Sequence, residues 1–224
     1  MQRFAVAIDG PAGSGKSTVA KAIAKRLGII YVDTGAMYRA VASYCMNKGA
    51  DTLEAAEIAP LLQEIDLRIE LNEGAQKIFL NGEDVTGRIR TQEIGQGASN
   101  VGTIEAVREW LGNMQQDMAK RYSVIMDGRD IGTAVLPDAE VKIYLDALVD
   151  ERTRRRMGEL QEKGENPVFE EIKQQIIHRD CTDMNRACRP LRQAEDAVLL
   201  DSTTMGVEET VQAVLRIIEE KIKC

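Results

Sequence analysis

Histidine occurs once in the 224 residues, at His178, and cysteine four times, at Cys45, Cys181, Cys188 and Cys224. No C-x-x-C pair is present and one histidine cannot complete a cysteine–histidine zinc set, so the thiols read as reduced and cytosolic. A run of about 18 apolar residues, the length a membrane helix needs, is also missing. The start lacks a basic stretch, a long apolar core and a small-residue cleavage site, so neither a membrane span nor a secretory leader is expected and the chain reads as cytoplasmic. Internal repeats and low-complexity tracts are absent. Positive charge is short overall: the net charge is −7 and the pI about 5.0, which argues against a nucleic-acid polymer as partner.

What is there suits a folded enzyme. A hydrophobic fraction of 44% and a charged fraction of 29% are ordinary for a globular chain, and the length suits one α/β core with insertions. Residues 3–8 (RFAVAI) read as a strand, and residues 17–27 carry Val19, Ile23, Ala24 and Leu27 at helical spacing. A second strand at 29–32 precedes Asp33 and Thr34, a helix-start signal for 36–46. Strand alternating with helix predicts a parallel sheet. Residues 53–65 then read as a helix, and 67–71 and 77–80 as strands joined through Asn72, Glu73 and Gly74. Asn81 and Gly82 supply the two positive-φ positions of a tight hairpin turn before Val85, so a small antiparallel sheet is inserted in the α/β core. Further helices are expected at 104–121, 150–163, 169–185 and 207–222. Strands are expected at 123–127, 141–146 and 197–201, and Gly164, Asn166 and Pro167 break the arginine-rich pair of helices. Trp110, beside Val107 and Leu111, reads as core packing, and His178 as non-catalytic.

The segment GPAGSGKS, continued by Thr18, carries the chemistry. Gly10, Pro11, Ala12, Gly13, Ser14, Gly15, Lys16 and Ser17 follow an apolar strand and open an amphipathic helix, the context that a phosphate loop requires. Its glycines let backbone N–H groups turn onto phosphate oxygens, and the helix start adds positive potential. Lys16 is placed to reach the β- and γ-phosphates, and Ser17 to put a hydroxyl on Mg²⁺. Asp127, ending a strand, has the position of the acid that organises Mg²⁺ and its waters, while Asp9 and Asp146 read as structural.

A guanine-reading N-K-x-D is not present: Asn47-Lys48-Gly49-Ala50-Asp51 has its acid one place late, and the D-x-x-G match at 84–87 follows a hairpin. Arginines are clustered instead. Arg152, Arg154, Arg155 and Arg156 fall in five residues, with Arg179, Arg186, Arg189 and Arg192 further on. Arg152 and Arg156 are i,i+4 neighbours on a helix and Arg155 lies near the same face. Either this is a solvated face paired with Glu151 and Glu159, or it is a mobile lid closing on phosphate; a phosphate loop in the same chain favours the lid.

The segments IDGPAGSGKST, YVDTGAMYRA, GEDVTGRIRTQEIGQGAS, DGRDIGTAVLPDAEVKIYLDA, RDCTDMNRACRPL and LDSTT follow one another in an order and spacing that resemble bacterial cytidylate kinases, over essentially the whole chain. The resemblance implies a P-loop nucleoside monophosphate kinase fold: a parallel sheet core flanked by helices, an inserted small antiparallel sheet and a short lid. The parts it implies are core at 1–35, an acceptor-nucleotide unit with the insert at 36–104, core at 105–148, lid at 149–166 and core at 167–224. The implied reaction moves the γ-phosphoryl group of ATP to CMP or dCMP, with Mg²⁺ across the β- and γ-phosphates and Lys16, Arg129, Arg152, Arg155 and Arg156 offsetting developing charge.

Carried over by position, the resemblance makes Thr34 and Arg39 holders of the acceptor nucleotide. Ser99, Arg108, Arg129 and Asp130 become the groups that read cytosine and fix the phosphate, Arg179 and Asp183 ribose-side contacts, and Arg186 a further phosphate contact. Family members can have Ser where Thr34 stands, which keeps the hydroxyl. An acceptor at Asp130 beside donors at Arg108 and Ser99 suits cytosine's exocyclic amino group next to ring acceptors and disfavours uracil. The alternatives are a kinase for UMP, AMP or a small hydroxylated metabolite, and a GTP-hydrolysing switch. A monomer is the family default.

Overall fold

In the computed structural model, which describes residues 3–72, 75–162 and 164–222, Val6, Ala7 and Ile8 are fully buried on a strand covered on both faces. This strand, β1 (Ala5–Asp9), lies between β6 (Val124–Gly128) and β7 (Val141–Asp146), with β2 (Ile30–Asp33) outside β6 and β8 (Val198–Asp201) outside β7. All four pairings are parallel. Alternation along β1 sends Val6 and Ile8 to one side, where Val19 and Ile23 of α1 (Lys16–Leu27) and Val211, Val214 and Ile218 of α8 (Val207–Ile222) pack on them. Ala7 faces the other way. There Met37, Ala40 and Val41 of α2 (Thr34–Asn47) and Val107 and Leu111 of α5 (Glu105–Arg121) form the larger core, with Trp110 packed at its margin. Continuous apolar strands are what a sheet buried on both faces demands.

Strand order reverses at β1, since β2 and β6 lie to one side of it and β7 and β8 to the other. The crevice beyond the carboxyl ends of such strands is where open parallel sheets bind ligands. Asp9, Asp33, Asp127 and Asp146 all stand at those ends.

The inserted sheet is antiparallel, as expected: β3 (Leu67–Asn72), β4 (Ala75–Leu80) and β5 (Glu83–Asp84) pair in sequence order. Asn81 at φ 49° and Gly82 at φ 87° make the turn between β4 and β5. The β3–β4 joint at Glu73 and Gly74 lies outside the described residues, and Asn72, expected in that joint, ends β3. The helix expected at 53–65 is shorter. It is α3 (Ala55–Leu61), and Pro60, which donates no backbone hydrogen bond, lies just before a tighter turn at Leu62–Glu64. The arginine-rich helix α6 (Val149–Gln161) and α7 (Phe169–Asn185) follow the expectation, packed through Leu160, Ile172 and Ile176 with Gly164 at φ 82° between them. Lys163 lies outside the described residues.

One helix, α4 (Gln92–Val101), was not expected. Thr91 caps it by accepting from the Ile94 N–H at 3.3 Å, but Gly95 and Gly97 hide its period. Gly97 is explained by a helix crossing: a Cβ there would stand 2.9 Å from Met46 Sδ and 3.3 Å from Ala42 Cβ of α2. The substitution Gly97→Val should therefore destabilise the fold by about 1–3 kcal/mol, the range for overpacked sites. It would be measured as a lower urea midpoint at unchanged m-value.

Candidate active site

The phosphate loop is shaped by what surrounds it. Gly10 leaves β1 at φ 147°, and a Cβ there would stand 2.1 Å from the Leu145 carbonyl oxygen of β7, so no side chain fits. Gly13 and Gly15 take φ 75° and 90°, open to glycine at no steric cost. Gly15 stands at the N-cap of α1 without a side-chain cap, which leaves the helix's first N–H groups for an anion. Lys16 folds back across the loop, donating to the Pro11 carbonyl at 2.6 Å and to Ser14 Oγ at 3.2 Å. Burial, reinforced by the nearby Arg129 guanidinium, pulls the ammonium well below the usual lysine range. Thr18 is exposed on the first turn of α1.

Ser17 Oγ donates to Asp127 Oδ2 at 2.6 Å, and Tyr31 Oη to Asp127 Oδ1 at 2.8 Å. Thr34 Oγ1 donates to the Asp127 carbonyl at 2.5 Å, which ties the start of α2 to the end of β6. Register sets Asp33 of β2 directly beside Asp127. Burial first, then the Asp33 charge, pushes Asp127 above the usual carboxylate range. Asp33 itself caps α2 through the Ala36 N–H at 2.9 Å and receives Arg90 at 3.1 Å. The Ser17 and Asp127 oxygens are hard donors of the kind that suits Mg²⁺. Among the described residues no group of three or more His, Cys, Asp or Glu gathers to hold a metal, so a cation here would take its other ligands from phosphate and water.

Asp9 and Asp146 serve backbone. Asp9 accepts from the Ile131 and Gly132 N–H groups at 2.8 and 2.7 Å, fixing the π-type turn Ile131–Val135 that follows the DGRD segment. Asp146 Oδ1 accepts from the Ala147 N–H at 2.8 Å.

Beyond the loop, four guanidiniums converge on two carboxylates. Arg129 Nε donates to Asp183 Oδ2 at 2.8 Å, and Arg108 Nη2 meets Asp130 Oδ1 at 2.5 Å. Arg186 stands 3.4 Å from Asp183 and 3.6 Å from Asp130. Burial pushes the Asp183 carboxyl up, but Arg129 and Arg179 outweigh it and hold the group below the usual range. Arg179 has no ion pair of its own; burial, then the like charge of Arg129, lowers it to about 10. Arg39 makes no hydrogen bond or ion pair among the described residues, and burial lowers it as well. Among the described residues, four buried atoms of the cluster lack hydrogen-bond partners: Asp130 Oδ2, Arg108 Nε, Arg186 Nη2 and Arg179 Nε. Ser99 of α4 lies one turn before Gly102, whose carbonyl accepts from Arg108 Nη1 at 2.9 Å.

Two members were not found in the sequence. Tyr38 lies under the Arg108 guanidinium at 5.4 Å, its phenol pushed up to about 12 by burial. Arg189, at φ 48°, donates to the Arg108 carbonyl at 3.4 Å. The tyrosine next to Arg39 was the only available signal for the first; a left-handed arginine leaves none.

The three lid arginines separate. Arg152 is buried against the phosphate loop, donating to the carbonyls of Ala12 and Ala147 at 2.8 Å each and to Asp180 at 2.5 Å. Arg155 pairs with Glu151 at 3.3 Å and reaches the Ser14 carbonyl at 3.4 Å and Ser202 Oγ at 3.1 Å. Arg156 is paired on the outer face with Glu159 at 2.7 Å. The ion pairs of a solvated helix face and the approach to the loop thus coexist on α6.

Residues 6–220 match the family model described as Cytidylate kinase. A cytidylate kinase of Caldicellulosiruptor saccharolyticus is 48% identical over 97% of this chain and 96% of its own. One of Shouchella clausii is 48% identical over the same shares. Among solved structures, an uncharacterized protein from Eubacterium ventriosum superposes with a TM-score of 0.53 at 12% identity, covering 97% of this chain and 99% of that one; that likeness concerns the fold alone.

Asp9 offers a test of the site's electrostatics. Burial pushes its carboxyl from 3.8 up to about 6, so the folded chain binds this proton before the unfolded chain does. Between about 6 and 3.8 this group adds stability as pH falls, and above that window it carries the cost of a buried charge. Carbon-13 NMR should show one aspartate carboxyl titrating near 6, absent in Asp9→Asn.

Proposed function

The chain belongs to the cytidylate kinase family, and from that membership we propose how its own residues divide the work. It is a nucleoside monophosphate kinase, a transferase that phosphorylates CMP with ATP. The observation that carries the assignment of residues is the unpartnered set Asp130 Oδ2, Arg108 Nε and Arg186 Nη2. One acceptor beside two donors, all buried, complements the amino and ring-acceptor edge of cytosine. Uracil, with a carbonyl in place of the amino group, would leave Asp130 Oδ2 unpaired, at a cost of about 1–3 kcal/mol for a buried polar atom. The same pocket accepts dCMP, because the groups that read the base do not depend on the 2′-hydroxyl.

Arg39, Arg129 and Arg179 hold the acceptor phosphate, with Asp183 and Thr34 completing the acceptor's surroundings. These guanidiniums lie close together without a full set of carboxylates, and an incoming phosphate relieves their mutual repulsion. Residues 10–18 hold the triphosphate through backbone N–H groups, and the phosphate charge beside Lys16 favours its ammonium form. Ser17 and Asp127 would hold Mg²⁺ directly or through water. When bound, the ion neutralises charge across the β- and γ-phosphates. No protein base is needed, because the acceptor phosphate is already an anion; alignment and charge stabilisation do the rest.

The acceptor unit, residues 36–104, and the lid, residues 149–166, close the site against water. The insert's link to the core supports this: Gln76 of β4 accepts from the Asp33 N–H at 2.6 Å, beside the start of α2. The unbridged Cys45, Cys181 and Cys188 suit a reducing, cytoplasmic compartment.

Replacing Lys16 by Ala should lower turnover with CMP by about 10²-fold or more, the scale of losing a transition-state charge donor. An ADP-release assay reads this, and near-normal turnover would sink the assignment. An acceptor panel tests the base reading: CMP should exceed UMP, AMP and GMP, and Asp130→Asn should narrow the CMP-to-UMP ratio by about tenfold or more. A wild-type rate with CMP no better than with AMP or GMP would refute it.

A further inference from the structure

We infer that Asp180, acting with Arg152, is a positioning residue that sets the phosphate loop in its binding shape by holding both backbone atoms of Ala12. The inference rests on the reading of this loop as the ATP site.

The Ala12 N–H donates to Asp180 Oδ1 at 2.9 Å, and the Ala12 carbonyl accepts from Arg152 Nη1 at 2.8 Å. The two holding groups are themselves paired at 2.5 Å, and Arg152 Nε is tied to the Ala147 carbonyl at 2.8 Å. Ala12, Arg152 and Asp180 are each only 7% exposed, so these are bonds in a water-poor setting where geometry is strongly enforced. Gly13 leans on the same place: a Cβ there would stand 3.3 Å from both Arg152 Cβ and the Arg152 carbonyl oxygen.

The consequence follows from the peptide plane. In a trans peptide the C=O and the next residue's N–H point in opposite directions. The Pro11 carbonyl is held by Lys16 Nζ, which turns the Ala12 N–H the other way, to Asp180. Arg152 draws the Ala12 carbonyl outward, which aims the Gly13 N–H to the opposite side. Arg155, 3.4 Å from the Ser14 carbonyl, does the same for the Gly15 N–H. A phosphate cradle needs those N–H groups turned inward together; α6 secures that by taking the carbonyls of Ala12 and Ser14, while Asp180 of α7 accepts the Ala12 N–H and holds Arg152 in place. Arg152 and Arg155 thus anchor the first half of α6 to the loop.

The test uses the full-length chain and needs no acceptor turnover. Calorimetric binding of ADP with Mg²⁺ should weaken about tenfold or more in Asp180→Asn and in Arg152→Lys, the scale of one lost charge-assisted hydrogen bond. CMP binding, measured alone, should stay within about twofold. The double variant should bind ADP no more weakly than the worse single one, because the two groups act as a unit. Unchanged ADP affinity in both variants would overturn the inference, as would equal weakening of ADP and CMP, or failure of both variants to fold. Should the acceptor prove not to be CMP, the ADP measurement still stands, so the two readings fail separately.

Discussion

Like charges gathered at the carboxyl ends of the parallel strands are the constraint on which the rest of the site depends. On one side of the crevice Asp33 and Asp127 stand in register on neighbouring strands; on the other Arg129 and Arg179 crowd together with Asp183 as their main counterweight, and Arg39 has Asp33 as its leading one. Each set would repel itself if left alone in a low-dielectric setting. The structure relieves part of this with Tyr31, Ser17 and Arg90 on the acidic side and with Asp183 on the basic side. Burial first, then the like charge of Arg129, lowers both Lys16 and Arg179. A site tuned in this way binds anions between the two sets more strongly than a neutral protein surface could.

The scaffold that holds these charges is redundant by design of its helices. Asp183 and Arg179 of α7 face the arginine cluster, the acceptor side in the proposed reading, while Asp180, on the same helix, binds the phosphate loop. Adjacent residues on a helix point about 100° apart, so one rigid element addresses two ligands at once. Asp9 has a comparable double position: its strand leads into the loop, and its carboxylate fixes the turn after DGRD that carries Arg129 and Asp130.

Much of this was legible in the sequence, for identifiable reasons. The strands of the core announce themselves as short apolar runs, the Asn81–Gly82 turn by a residue pair that takes two positive φ angles cheaply, and the phosphate loop by glycine spacing. What stayed hidden depends on packing. Helix α4 is masked by two glycines, of which Gly97 lets α2 approach, and the π-type turn after Asp130 exists because Asp9, remote in sequence, supplies its cap. The burial of Arg152 is of the same kind. Helical spacing put it on a face with Arg155 and Arg156, but no local signal tells which arginine of such a face meets backbone and which meets water.

Strand order has a consequence for how the chain comes together during synthesis. β1 and β2 are consecutive in sequence yet never touch; β6, which starts at Val124, fills the space between them. The phosphate loop and the first half of the acceptor side therefore leave the ribosome early but have no sheet to join until the whole insert has been translated. Such non-local pairing slows folding and lengthens exposure of apolar strands. The inserted sheet, whose pairings are all between sequence neighbours, needs no later strand to form, which gives it an early place in the folding order.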